Sequence, residues 1–201
     1  MYKFTAIMAA AALVACSACS GDDDAGAQKQ PRSSVLTSSS AQPSPISGLA
    51  SQLNHIPGRM PGGTESQTGR DAAPVGGCVN LSGEKINANI KLVPCGGADN
   101  NYIVIQRVNF PTDCVADTDR RYYHNGGQGE FTACLDLAWS SDSCISIDNP
   151  KVLRTNCQDS SVPNQYRPIK VVLNTENIDG CPDKGFAHPI RRFTICTETQ
   201  P

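Results

Sequence analysis

From residue 75 onward, short apolar runs alternate with clusters of Gly, Asn, Asp and Pro, a pattern that predicts strands and turns rather than helices. "YIVIQRV" (102–108) is β-branched and apolar, "EFTACLDL" (130–137) alternates, and "PIKVVLN" (168–174) again concentrates Val and Ile. "SGEKINAN", "CGGADNN", "HNGGQG" and "DNPK" separate the runs as turns. Only "CVADTDRRYY" (114–123) has room for a helical turn or two, and the matching "CPDKGFAHP" (181–189) is shorter and broken by Pro and Gly.

The strand-like phrases repeat. "EFTAC" (130–134) returns as "RFTIC" (192–196), "NNYIVIQRV" as "NQYRPIKVV" with Tyr102 matching Tyr166, and "CVNLSG" as "CISIDN". Cys95 and Cys157 lie 62 residues apart (157 − 95), as do Cys134 and Cys196 (196 − 134). A unit of about 60 residues is therefore duplicated. The expected fold is mainly β: two tandem, disulfide-stapled β-rich units, 75–139 and 140–201, packed together. The single tryptophan, Trp139, falls at the boundary and is expected to pack between them.

Composition changes the picture upstream. "MYKFTAIMAAAALVAC" has a cationic Lys3, a short apolar core from Ala6 to Ala15 and "LVAC" at 13–16, which resembles a bacterial lipobox. The core is too short to span a bilayer, so residues 1–15 read as a lipoprotein signal peptide and Cys16 as the acylated residue, palmitate included. Cys19 is a poorer acceptor because Cys16 stands where Leu is needed. Acyl chains on Cys16 add about 0.8 kcal/mol per buried methylene and anchor the chain to the lipid bilayer without a membrane helix. Residues 16–74 are rich in Ser, Gly, Pro, Ala and Gln, which predicts a disordered linker; Leu53, His55, Ile56 and Met60 read as incidental within it. The expected location is the extracytoplasmic face of the cell membrane. A net charge of −2 and a pI near 5.9 give no electrostatic case for nucleic acid.

Only 39% of residues are hydrophobic and 5% aromatic, so units this small need staples. An oxidising compartment supplies them. Eight cysteines admit 105 pairings, and spacing alone does not choose among them. Hairpin geometry favours first with second and third with fourth: Cys78–Cys95, Cys114–Cys134, Cys144–Cys157 and Cys181–Cys196. Zinc sites need close cysteine pairs, and no two of the eight come closer than Cys134 and Cys144, so neither metal nor cofactor is expected.

The residues "PVGGCVNLSG", "KLVPCGGADNNYIVIQRV", "RRYY" and "EFTACLDLAW" resemble the LppU-like lipoproteins of actinobacteria. The match runs through Val75, Gly76, Cys78, Val93, Cys95, Tyr102, Val104, Cys114, Tyr122, Cys134 and Leu135. It departs at Gly77, where an acidic residue is usual, and in the compressed stretch from Cys181 to Cys196. The first half also resembles an extracytoplasmic module associated with septum formation. The resemblance implies a membrane-anchored cell-envelope protein and brings no catalytic residue with it.

The sequence contains no G-x-S-x-G, H-E-x-x-H or P-loop. His55 falls in the linker, while His124 and His188 occupy comparable inter-cysteine segments. "DTD" (117–119) lacks the Gly and closing Glu of a calcium loop and reads as a solvated acidic turn. Arg120, Arg121, Tyr122, Tyr123 and His124 form the candidate binding surface, echoed weakly by Arg191, Arg192 and Phe193. The favoured expectation is a non-enzymatic module that binds a protein, peptide or cell-wall component. The alternatives are an enzyme acting on envelope polymers through His124 or His188 with Asp117 or Asp119, and a thiol-redox or metal-binding protein.

Overall fold

The computed structural model describes residues 48–84, 87–127 and 129–201; the expected signal peptide, the expected acylation site Cys16 and the expected linker up to residue 47 lie outside the described residues. Ten strands form two five-stranded antiparallel sheets. The first contains β1 (Cys78–Ser82), β2 (Asn89–Leu92), β3 (Tyr102–Val108), β4 (Arg120–Gly126) and β5 (Gly129–Leu137), in the order β2-β1-β3-β5-β4. The second contains β6 (Cys144–Asp148), β7 (Lys151–Thr155), β8 (Gln165–Leu173), β9 (Lys184–His188) and β10 (Phe193–Thr199), in the order β7-β6-β8-β10-β9. Each position in one order has its counterpart in the other, so the textual repeat is a repeat of topology.

The register repeats as well. Tyr102 sits opposite Leu137 and Val79, and Tyr166 sits opposite Thr199 and Ile145. The β3–β5 ladder shifts at Ile105, and the β8–β10 ladder shifts at Ile169, its equivalent. A bulge inserts one unpaired residue and bends its strand. That is why β3 buries Val104 and Ile105 in succession: Val104 joins the main core, and Ile105 packs with Val108, Cys114 and Cys134 in a smaller cluster.

The main core joins both sheets. Val79, Val104, Leu135 and Leu137 of the first meet Ile145, Val152, Phe193 and Ile195 of the second in one buried cluster. Trp139 is in that cluster, with its ring 4.9 Å from that of Phe186 on β9. The disulfides are Cys78–Cys95, Cys114–Cys134, Cys144–Cys157 and Cys181–Cys196, first with second and third with fourth in each copy. Their Cα–Cα spans of 5.0–5.7 Å lie in the ordinary range for such bridges.

The linker expectation is corrected over residues 48–74. Gly48 starts a short helix, α1 (Leu49–Asn54), whose Leu49 and Leu53 are buried four residues apart on one face, against β8. Ile56 and Ala73 are buried in the same core, while His55 and Met60 stay exposed. The strap from 48 to 74 is fastened by two arginines that carry no periodic signal. Arg107, 1% exposed in mid-β3, donates to the Ser66 and Ala73 carbonyls and to Glu65 Oε2. Arg59 donates to the Leu53 and Leu137 carbonyls. Gly69 (φ +77°) lies so close to Phe131 that a Cβ there would meet the ring at 2.4 Å. The suggested helix in 114–123 does not form; a 3₁₀ turn at Pro111–Asp113 precedes that segment and β4 takes up its last four residues. No helix among the described residues is long and apolar enough to cross a membrane.

Candidate functional site

β4 runs along the edge of the first sheet, and its alternation divides the predicted surface between two faces. Tyr122 is buried and His124 half-buried on one side, while Arg121 and Tyr123 point out from the other. Arg120 falls on the inner side with Tyr122 and His124. The five residues therefore do not make one surface. His124, Tyr122 and Phe131, with Thr68, Arg70 and Asp71 of the strap, line an open cleft of about 500 Å³. The His124 ring lies 5.3 Å from Phe131.

His188 is the register equivalent of His124. His124 sits opposite Phe131 and His188 opposite Phe193, and those phenylalanines occupy the same place in the repeated phrase. The environments differ. His188 is 1% exposed and stacks on Phe193 at 4.3 Å. Its Nε2 lies 3.4 Å from Asp119 Oδ1, and neither ring nitrogen has a hydrogen-bond partner within normal geometry. Two members of the alternative catalytic pairing, His188 and Asp119, thus do meet, whereas His124 stands apart from them.

Asp117 and Asp119 flank a seam of charge between the copies; the reading of a solvated acidic turn is corrected at Asp117, while Asp119 stays open to solvent. The Asp117 side chain is 4% exposed and that of Asp119 is 19% exposed. Arg191, in the turn between β9 and β10, uses all five guanidinium N–H donors here. They go to Asp117 Oδ1 (2.8 Å), the Asp117 carbonyl (2.9 Å), Asp136 Oδ2 (2.7 Å), Asp136 Oδ1 (3.0 Å) and the Arg59 carbonyl (2.9 Å). The Arg191 backbone N–H also donates to Asp117 Oδ2. Arg59 Nε approaches Asp136 at 3.5 Å. Asp119 Oδ2 accepts from the Leu137 N–H at 2.8 Å, and Asp183 does the same for Thr199 N–H in the second copy.

Burial sets the protonation tendencies, and partners modify them. Burial raises the Asp117 carboxyl, but the Arg191 backbone and side-chain hydrogen bonds outweigh it and hold Asp117 below the usual carboxylate range. Burial pushes Asp136 up, with Arg191 opposing and the Asp119 charge adding to the rise. For Arg191 burial acts downward, and the hydrogen bonds to Asp136 and Asp117 carry it above its ordinary value. Arg59, with a weaker hold on Asp136, is lowered by burial.

A second cleft, of about 330 Å³, opens onto this seam. Tyr102, Leu137, Ile147 and Phe186 line it, with Asp119 and Arg120 as its charged groups. Burial, with the Asp119 charge adding, pushes the Tyr102 phenol up to about 12. Asp119, Asp136 and His188 each offer one ligand atom, all within 4.8 Å of one another, and they are the residues here that can hold a metal ion. The sequence offered one signal for this seam, the parallel placement of His124 and His188. It offered none for Arg59 and Asp136, which carry no motif, and it marked Arg191 only as a weak echo of the β4 surface, not as a partner of Asp117 and Asp136. Comparison of the chain with family models, with curated proteins and with solved structures finds no match.

Proposed function

We propose that this protein is a lipid-anchored extracytoplasmic module of the cell envelope that binds a protein, peptide or cell-wall partner and performs no chemistry on it. The observation that carries the reading is the commitment of the seam. Asp117 and Asp136 are both held by Arg191, and Asp119 holds a backbone N–H of β5. Carboxylates fastened in this way join two copies into a rigid body, as the four disulfides do within each copy. His188, the histidine nearest those carboxylates, is sealed from solvent. The outward face of β4, with Arg121 and the 42%-exposed Tyr123, remains available to a partner. β4 is also an edge strand of its sheet, the kind of element to which an extended peptide adds. The anchor rests on "LVAC" and Cys16, and the family resemblance points the same way.

A photo-crosslinking residue at Tyr123 tests this in intact envelopes. The expected result is a discrete adduct from position 123 that is absent from position 190, where Ile190 is exposed in the β9–β10 turn. Equal, diffuse labelling at both positions overturns the binding surface. Cys16→Ala should move the protein from the membrane fraction to the soluble fraction; retention on the membrane overturns the anchor.

A further inference from the structure

Three carboxylates (Asp117, Asp119, Asp136) gather at the seam with Arg59 and Arg191, and the His188 ring lies against them. Carboxylates gathered in this way are costly unless cations pair them. His188, 99% enclosed, also turns two unpartnered nitrogens into this environment, and a buried polar group without a partner is itself an exception that calls for a cause. Both features end at one point. Among the described residues, Asp119, Asp136 and His188 are the one group of three whose ligand atoms converge.

We propose that Asp119, Asp136 and His188 hold one divalent transition-metal ion of the zinc type at the seam between the two copies. One nitrogen and two carboxylate oxygens form a donor set that zinc accepts. Ligands about 2.1 Å from a tetrahedral ion lie about 3.4 Å apart. The three ligand atoms lie within 4.8 Å of one another, so binding draws the widest pair together by up to about 1.4 Å. The groups behind the ligands are already fixed: Leu137 N–H orients Asp119, Arg191 orients Asp136, and the Phe193 ring sets the plane of His188.

Three protein ligands leave a coordination position free. Asp119 also lines the cleft with Tyr102, Arg120 and Phe186, so that position faces the cleft. Arg120 lines the same cleft, which favours an oxygen anion, a hydroxide or a carboxylate, as the group that completes the shell.

The test uses the full-length protein in detergent, with its disulfides intact, stripped with EDTA and titrated with Zn²⁺ by calorimetry and with Co²⁺ by visible absorption. The expected result is one equivalent of tightly bound ion and d–d bands from Co²⁺. Asp119→Asn and His188→Gln should each weaken Zn²⁺ binding at least tenfold, and His124→Gln, at the same register in the other copy, should leave it unchanged. Should either variant fail to fold, ¹⁵N spectra of the wild-type histidine rings decide: Zn²⁺ should shift His188 and leave His124 in place. A stripped wild-type protein that takes up no stoichiometric Zn²⁺ or Co²⁺ overturns the proposal. So does uptake that ignores both substitutions, or that shifts only His55 or His124.

Discussion

His124 and His188 stand at the same place in two copies of one sheet, each across from a phenylalanine, yet the first lines an open cleft and the second is sealed. The residues that follow account for the difference. After His124 the sequence continues "NGGQGEF", and the hairpin adds two more ladder pairs, Asn125 with Glu130 and Gly126 with Gly129. After His188 comes Pro189, which has no N–H to extend a ladder, and the strand stops. The chain turns through 189–192, and Arg191 is delivered into the seam. One proline thus converts an extended hairpin into a clamp. Duplication supplied a common frame, and turn chemistry made one copy's end a cleft and the other's a joint.

Substitutions can break this contrast in order of expected size. Arg191→Met leaves Asp117 and Asp136 buried without their partner and should cost about 3–5 kcal/mol in chemical denaturation. Its neighbour Arg192, exposed and paired with exposed Glu176, should change stability by no more than about 0.5 kcal/mol on the same replacement. Similar losses at the two positions would show that the seam is no clamp.

Removing Cys114–Cys134 or its equivalent Cys181–Cys196 as an alanine pair should cost about 3 kcal/mol each. Loop separations of 20 and 15 residues imply a difference of only about 0.3 kcal/mol between the two in the chain-entropy model. A much larger gap, measured by urea unfolding, would mean that the copies are stapled unequally.

Leu53→Ala, in the strap over the second sheet, should cost at least ~2 kcal/mol. No measurable change would return residues 48–54 to the status of a loose linker. The smallest effect concerns Asp183, whose carboxyl the Thr199 N–H holds below the usual range. A depressed folded pKa contributes stability above the unfolded value, and that contribution is lost as pH falls through the folded one. Asp183→Asn should therefore flatten the fall in Tm below about pH 4, where free aspartate titrates. An unchanged acid slope would remove Asp183 from that account.

The strands were legible because period-two alternation and a repeated cysteine frame report on local backbone and short hairpins. The pairing of Tyr102 with Tyr166 across the repeat could be read directly from the text. The strap was not legible. Its composition is polar, and it is ordered by Arg107 and Arg59 donating to backbone carbonyls, an interaction to which any sequence can contribute acceptors. For the same reason Asp117 looked solvated: its partner, Arg191, lies 74 residues away. Two of the three candidate ligands, His188 and Asp119, could be named from position alone, while Asp136 was hidden inside an alternating strand.

The strap also decides how the protein responds to a pull. Tension arriving through Gly48 loads α1 first, and the two leucines on β8 yield before any disulfide is stressed. Peeling onward to Arg59 would take a cation from beside Asp136 and unbalance the joint between the copies. Mechanical load on this end of the chain is thus converted into a change of charge at a distant seam, while the cysteine-braced sheets stay whole.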